Sequence, residues 1–133
     1  MNWQKTKVQA LGRTEGVPLT VTVKDHEVVV AEEFVYLGSF IHSSVQSTHD
    51  INCRSAIART AMQSLDNQFW RSLVSMSTKL KLYNTCILPI FLYVSDCWAV
   101  WKIDARKIDA FDQWCLRILL DIKWHQIIRN DEV

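Results

Sequence analysis

Apolar and polar positions divide the chain into an N-terminal part with the alternation of strands and a longer part with the spacing of helices. Apolar residues occupy alternate positions in 19–23, a polar turn follows, and valines resume at 28–30. This pattern predicts a hairpin of two antiparallel strands. The aromatic and β-branched run at 34–41 predicts a further strand. Gly38 within that run indicates a bulge, a close backbone approach or an ordinary interruption of an edge strand.

A polar loop from His42 to Asp50 leads into the first predicted helix, which covers 51–70. Its apolar residues recur at helical spacing, at positions 58, 61, 62, 65 and 69. One face of this helix is therefore predicted to be buried. Asp50 suits the N-cap, because a carboxylate there can accept a hydrogen bond from a free N–H of the first turn. Arg54 and Arg59 lie off the apolar stripe, which predicts either a solvated face or contacts with phosphate groups.

Two more helices are predicted in the second half of the chain. One is capped at Ser77-Thr78 and continues along an apolar stripe to Trp98, with Pro89 expected to kink or interrupt it. The other begins at Asp104 and carries an apolar stripe from 108 to 122. Strands followed by helices predict an α+β fold, with a short N-terminal antiparallel hairpin or sheet and then a three-helix bundle.

The length of the chain predicts a single compact unit in two parts. A chain of 133 residues fits one domain, or one domain plus a tail. We place the boundary before Asp50, which gives a β part over 1–49 and a helical part over 50–133. Hydrophobic residues make up 49% of the sequence. That fraction is enough to bury a core and argues against wholesale disorder.

The net charge of +1 hides an uneven distribution of charge along the chain. Residues 51–82 contain five Lys and Arg residues and one Asp, whereas both flanking segments are slightly acidic. A basic middle segment between near-neutral flanks permits a polyanionic partner without requiring one.

Cysteine usage indicates an intracellular protein. The four cysteines stand at positions 53, 86, 97 and 115, with no closely spaced pair. Structural zinc ligands usually come in such pairs, so no metal site is predicted, and the first residues do not resemble a signal peptide. Reduced thiols are therefore expected, in the nucleus or the cytoplasm rather than in a secreted protein.

One segment has the length and composition of a membrane span. Residues 82–101 are almost uncharged and long enough to cross a bilayer. Asp96 would be costly inside a membrane, and Asn84, Pro89 and Ser95 weaken the pattern further. A buried central helix is therefore predicted in place of a membrane span.

Compact catalytic motifs are not visible in the sequence. Three isolated glycines cannot form a phosphate-binding loop. Glu32 and Glu33 would point to opposite sides of an extended strand, which does not suit a shared metal ion. Composition and periodicity alone therefore indicate an α+β domain with a basic helix.

Several motifs in a fixed order carry a resemblance to a known family. They are NxxKTK at 2–7, FxYLGS at 34–39, DINCR at 50–54, STKLKLY at 77–83 with LPIFLY at 88–93, and DAFDQWCLR at 109–117. In this order and spacing the chain resembles the reverse transcriptase of LINE-type (non-LTR) retrotransposons, over nearly all of its length. The matched part is the end of the palm and the thumb that follows it.

The resemblance implies roles for residues of the palm portion. In the family the lysine of NxxKTK helps to protonate the leaving pyrophosphate. The resemblance implies this role for Lys5, with Lys7 as a neighbouring nucleic-acid contact. A cation beside a leaving phosphate neutralises charge that grows in the transition state. FxYLGS resembles the primer grip, a tight hairpin that supports the 3′ end of the growing strand. In this chain the implied grip consists of Tyr36, Leu37, Gly38 and Ser39.

The helices after residue 49 resemble the thumb, which holds the template–primer duplex through its backbone. The implied partners are an RNA template and an RNA–DNA duplex. Contacts with phosphate groups position a duplex without reading its sequence. The residues expected to make them are Arg54, Arg59, Lys79 and Lys81.

The chain departs from the family pattern at several positions. The aspartates that bind two magnesium ions would precede Met1, as would the fingers and most of the palm. The family usually has glycine and glutamate in LYGxExW, where this chain has Val94 and Asp96. We therefore expect a fragment that is catalytically incomplete alone, has no cofactor of its own, and needs the missing fingers and palm of its parent. The alternative is a helical protein-interaction module without a nucleic-acid role, because six Trp residues need a surface to bury against.

Overall fold

The computed structural model describes residues 6–12, 16, 18–123 and 126–130, apart from the side chains of residues 67 and 68. Two antiparallel hairpins precede a helical part. The strands are β1 (Thr20–Val23), β2 (His26–Val29), β3 (Glu33–Tyr36) and β4 (Ser39–His42). The α-helices are α1 (Thr48–Ser64), α2 (Met76–Leu82), α3 (Leu88–Phe91) and α4 (Lys102–Leu119). This order of elements confirms the predicted α+β fold.

The first hairpin follows the alternation of apolar residues in the sequence. β1 pairs antiparallel with β2, and Thr20 lies opposite Val29. Lys24 and Asp25 have φ angles of 48° and 64°, which is the backbone of a two-residue hairpin turn. Before this hairpin, Val8 forms an isolated parallel bridge with Val30.

The second hairpin differs from the strand predicted at 34–41. β3 and β4 pair antiparallel with Glu33 opposite His42, and Leu37 and Gly38 form the turn between them. The single strand that the apolar run predicts over 34–41 is therefore wrong, whereas the tight hairpin that the resemblance implies at 34–39 is present. Each strand has four residues, which is too short for an isolated hairpin to be stable in water. The position of the second hairpin therefore depends on its contacts with the helices.

The first helix begins and ends earlier than its sequence pattern indicates. Its N-cap is Ser47, so the prediction that Asp50 caps the helix is wrong, and Asp50 lies in the first turn. A π-helical stretch, Asp66–Trp70, follows α1 within the region predicted to be continuous helix. The indole N–H of Trp70 donates to the carbonyl of Met62 at 2.8 Å, which holds this stretch against α1.

After α1, the next continuous helical segment consists of α2, a π-helical stretch (Tyr83–Ile87) and α3, and we call this segment the second rod. Its cap is Ser75, whose hydroxyl accepts from the N–H of Thr78, two residues before the predicted cap. Pro89 stands in the first turn of α3. Proline lacks the N–H that would bond four residues back, so a widened π-helical turn just before it has a local cause.

The second rod ends well before Trp98, the end that the apolar stripe predicts. α3 stops at Phe91, and Val94 adopts a left-handed φ of 64° ahead of a short 3₁₀ turn, Ser95–Cys97. The apolar segment 82–101 is thus divided among several short elements. Among the described residues, no helix combines the length and the apolar character that crossing a membrane requires.

The main core lies where α1, the second rod and α4 meet. The predicted stripes supply much of it, since Ala58 and Met62 of α1 and Phe111 and Cys115 of α4 are buried. The ring of Phe91 stacks on that of Phe111 with centroids 4.4 Å apart. Burial of each such ring contributes about 2–3 kcal/mol, so this contact is a main link between the second rod and α4.

Candidate nucleic-acid interface

The turn of the second hairpin is the part of the implied primer grip that faces solvent. Leu37 and Gly38 have φ angles of 48° and 81°, as both central residues of a two-residue hairpin turn require. Glycine adopts this conformation freely, whereas leucine does so under strain. Tyr36 and Leu37 are 58% and 74% exposed, and Ser39 is half-buried. The tip therefore presents an aromatic ring and an aliphatic side chain to solvent.

Arg54 of α1 holds this turn from the helical side. Its Nη2 donates a hydrogen bond to the carbonyl oxygen of Gly38. The guanidinium carbon lies 4.4 Å from the centroid of the Tyr93 ring, a cation–π distance. Arg54 is only 9% exposed. The side chain of Arg54 is thus bound within the protein. The prediction that Arg54 lies on a solvated face is therefore wrong.

Tyr93 holds the other carbonyl group of the turn. Its hydroxyl donates to the carbonyl oxygen of Leu37 at 2.9 Å. A Cβ atom placed on Gly38 would lie 3.6 Å from Nη2 of Arg54 and 3.8 Å from Cε1 of Tyr93, which are ordinary contact distances. The positive φ of Gly38, and not a shortage of space, is therefore what favours glycine.

A buried carboxylate ties β4 to the helices. Asp50 is 3% exposed, and its two oxygens accept from the backbone N–H of Phe40 at 2.9 Å and from Nε1 of Trp98 at 2.8 Å. Phe40 also stacks on the ring of His49, with centroids 3.9 Å apart. The hairpin is thus held at its turn by Arg54 and in β4 by Asp50.

The basic residues expected to contact phosphate fall into two groups. Arg54 and Lys79 are buried, and Nζ of Lys79 donates to the carbonyl oxygen of Trp70. Arg59 and Lys81 are exposed, and the guanidinium carbon of Arg59 lies 4.9 Å from the centroid of the Trp114 ring. Only the second group presents its charges to solvent.

The lysines of the NxxKTK motif are placed only in part. Lys5 lies outside the described residues. Lys7 is exposed and precedes Val8, which pairs with Val30. The structure therefore brings together Leu37, Gly38 and Arg54, and it places Lys7 in a separate segment beside the first hairpin.

Three residues at this junction were not predicted as part of the site. From the sequence, Tyr93 belongs to the LPIFLY motif, Trp98 ends a predicted apolar stripe, and Asp50 suits a helix cap. The sequence offered one indication for both aromatic residues: each carries a polar group, a hydroxyl or an indole N–H, within an almost uncharged segment. Buried Tyr and Trp usually find a hydrogen-bond partner for that group. The residues that they bond to could not be read from the sequence.

A second polar cluster lies inside the helical part. The hydroxyl of Tyr83 donates to the Asp112 carboxylate at 2.7 Å. Burial, and then the nearby Asp112 carboxylate, raise the pKa of the Cys115 thiol to about 12. Burial likewise raises the pKa of Tyr83 above its ordinary value. Both groups therefore stay protonated near neutral pH, and this cluster has the character of a structural link and not of a nucleophile.

No protein-family model, no curated protein and no solved structure matches this chain. Within the described residues, no group of three or more His, Cys, Asp or Glu side chains is arranged to hold a metal ion. The arguments for function therefore rest on the hairpin turn, its anchors and the exposed basic side chains.

Proposed function

We propose that this chain is the primer-grip and thumb portion of a LINE-type reverse transcriptase, and that it holds a template–primer duplex. The observation that carries the proposal is the mounting of the Leu37–Gly38 turn. Both carbonyl groups of the turn are bonded to side chains of the helical part, by Tyr93 and Arg54. An exposed turn that is held rigidly by the helical part suits contact with the end of a primer strand, because a binding group works best when its support is rigid.

The backbone at Val94 supports the same proposal. The family usually has glycine at this position in LYGxExW. Val94 has a φ of 64°, in the left-handed region that glycine adopts freely and that a β-branched residue adopts only under strain. The left-handed backbone at Val94 is therefore the conformation that a glycine at this position of the family motif would favour.

The exposed basic residues supply the contacts to phosphate groups in this proposal. Arg59, Lys81 and Lys7 present their charges to solvent. Arg54 and Lys79 act indirectly, since their charged groups hold backbone carbonyls inside the protein. Affinity that comes from contacts between the exposed cations and phosphate groups depends on salt concentration. Loss of a bond between a buried cation and a backbone carbonyl lowers the stability of the protein.

The fragment is not expected to polymerise DNA alone. In the proposed parent, aspartates outside this chain hold magnesium, and the described residues offer no cluster of metal ligands. The chain's own contribution is to bind and orient the duplex. Primer extension by the purified chain with magnesium and nucleotides should stay at background, and extension above background would contradict this.

Binding to a fluorescently labelled RNA–DNA duplex, measured by anisotropy over a range of salt concentrations, tests the proposal. Contacts with about three phosphates should give a slope of about −3 in a plot of log affinity against log salt. Arg59→Gln and Lys81→Gln should each reduce the magnitude of that slope by about one. Lys24→Gln, which removes a charge from the turn of the first hairpin, is the matched control. A wild-type chain without measurable duplex affinity at low salt would refute the proposal.

A second function is favoured by one exposed apolar cluster. Val100, Trp101 and Ile103 are 49%, 63% and 62% exposed, and they are neighbours in sequence around the first residue of α4, Lys102. Clusters of this kind often mark contacts with other proteins. A helical interaction module predicts self-association in light scattering that Trp101→Ser abolishes, with no affinity for the duplex.

A further inference from the structure

A groove lies between the segment that runs from the end of α1 to Arg71 and the C-terminal half of α4 with the residues that follow it. Its volume is about 460 Å³, within the range of small-molecule sites. The described residues that line it include Gln63, Arg71, Trp114, Arg117, Asp121 and Lys123. It is separate from the Leu37–Gly38 turn. Arg59, which packs against the lining residue Trp114, also belongs to the duplex contacts proposed above.

Arg117 enters the groove from α4 in a fixed orientation. Its Nη2 donates to the carbonyl oxygen of Ile128 at 2.7 Å and to Oδ1 of Asn130 at 2.8 Å. Both bonds use the same nitrogen. In the part of the chain that the structure describes, Nε and Nη1 make no hydrogen bond. A guanidinium held in this way loses little freedom when its remaining N–H groups bind an anion.

Trp114 lines the groove, and the guanidinium group of Arg59 packs against its ring. The guanidinium carbon of Arg59 lies 4.9 Å from the centroid of the indole ring. Trp114 itself is partly exposed and lines the groove. Aromatic rings and guanidinium planes are the groups on which nucleic-acid bases stack.

The charges around the groove favour an anion. Arg71 forms two hydrogen bonds with the carboxylate of Asp66, from Nε at 3.3 Å and from Nη2 at 3.0 Å, so these two charges largely compensate each other. Among the described residues, the other charged side chains that line the groove are Arg117, Lys123 and Asp121, and Arg59 lies against the lining residue Trp114. Positive charge is therefore in excess next to the stacked rings.

We infer that this groove binds a nucleotide unit, with its phosphate on Arg117 and Lys123 and its base against Arg59 and Trp114. A pair of cations binds a phosphate group, and a neighbouring aromatic or guanidinium surface stacks on a planar base. A nucleotide unit carries both groups at short distance. The unit comes either from a free nucleotide or from a single-stranded nucleic acid. Arg59 is shared with the proposed duplex contacts, whereas Trp114, Arg117 and Lys123 have no part in them. Variants at Trp114 and Arg117 therefore test the groove separately from the duplex site.

Isothermal titration of the full chain with three probes tests the inference. The probes are ATP, a single-stranded oligo(dT) and inorganic phosphate. We expect ATP or oligo(dT) to bind at least about tenfold more tightly than phosphate, because stacking of a base adds about 1–3 kcal/mol. Binding of ATP identifies a free nucleotide as the source, and binding of oligo(dT) alone identifies a single strand. Equal affinity for all three probes, or no binding, would overturn the inference.

Variants of the groove make the test specific to its residues. Arg117→Gln should weaken the better probe by about tenfold, and Trp114→Phe by about threefold, since a smaller ring remains against Phe111. Arg117→Lys should give an intermediate loss, which keeps the test decisive if Arg117→Gln fails to fold. Arg106→Gln removes an exposed charge from the same helix and is the matched control. Affinities within about twofold of wild type in the folded groove variants would refute the assignment.

Discussion

The carboxylate of Asp50 accepts a hydrogen bond from the indole N–H of Trp98, with 2.8 Å between Oδ2 and Nε1. The same carboxylate accepts from the backbone N–H of Phe40 through its other oxygen. A single buried side chain therefore joins β4, α1 and the segment that precedes α4. Since an isolated hairpin with strands of four residues is not stable alone, this junction is one of the contacts that place the second hairpin on the helices.

Replacing Asp50 should destabilise the whole protein. Asp50→Ala leaves the N–H groups of Phe40 and Trp98 without an acceptor in a buried place, so we expect a loss of about 2–4 kcal/mol in the free energy of unfolding. Urea denaturation followed by circular dichroism measures this loss. Asp109→Asn, at an exposed position of α4, is the control and should change stability by less than about 0.5 kcal/mol. A small effect at Asp50 would mean that its two hydrogen bonds contribute little.

The turn residues should respond to substitution with opposite signs. Gly38→Ala places a side chain at a φ of 81°, and we expect a loss of about 1–2 kcal/mol from backbone strain alone. Leu37→Asn should stabilise by about 0.5 kcal/mol or more, because asparagine tolerates a left-handed conformation better than leucine. Thermal unfolding of both variants measures the pair. A stabilising Gly38→Ala would contradict the assigned turn.

Tyr93→Phe should loosen the turn without removing the ring under Arg54. The variant loses only the hydroxyl that donates to Leu37, so stability should fall by about 0.5–1.5 kcal/mol. Hydrogen exchange of the amides at residues 36–39 should quicken more than that of α4, since the lost bond is local. Tyr36→Phe, at an exposed ring on the hairpin itself, is the matched control. Equal exchange rates in both variants would argue against a role for the Tyr93 hydroxyl.

Alkaline pH should destabilise the protein through Cys115. The pKa of this thiol is raised from 9.0 to about 12 by burial and by Asp112. Above about pH 9 the unfolded chain loses this proton while the folded chain keeps it, so stability falls as pH rises, by up to about 1.4 kcal/mol per pH unit. The raised pKa of Tyr83 acts in the same direction at higher pH.

Urea unfolding between about pH 8 and pH 10.5 measures this dependence, with the window set by the ordinary thiol pKa. Cys115→Ala should flatten the decline, because the variant has no thiol to titrate at that position. Cys53→Ala is the control, since Cys53 is exposed and should leave the decline unchanged. A decline of equal steepness in both variants would assign the effect to other groups.

Periodicity predicted the apolar faces of the helices well, because burial repeats with the helical turn. Ala58, Met62, Phe111 and Cys115 all lie where their spacing places them. Helix ends were predicted less well. Ser47 and Asp50 are both good caps by residue type, and the hydrogen bonds that make Asp50 a tertiary anchor come from residues far away in sequence.

The candidate site could be predicted only in outline. The motif at 34–39 indicated a hairpin by resemblance, but β propensity gave no sign of the turn at Leu37, since leucine is not a typical turn residue. Arg54 and Lys79 lie off the apolar stripes, and residue type alone predicts that such cations are solvated. Their burial depends on carbonyl groups of Gly38 and Trp70, and these come close only in the folded chain.

The anchoring of the hairpin turn has a consequence for the order of folding. The bond from Tyr93 to Leu37 joins residues separated by 56 positions, and closing so long a loop has a large entropic penalty unless helices already shorten it. Local pairing of β3 with β4 can form early. We therefore expect the turn to reach its native position only late, after α1 and the second rod have assembled. A chain released before Tyr93 is synthesised would contain the hairpin without the hydrogen bond that holds its turn on the helical part.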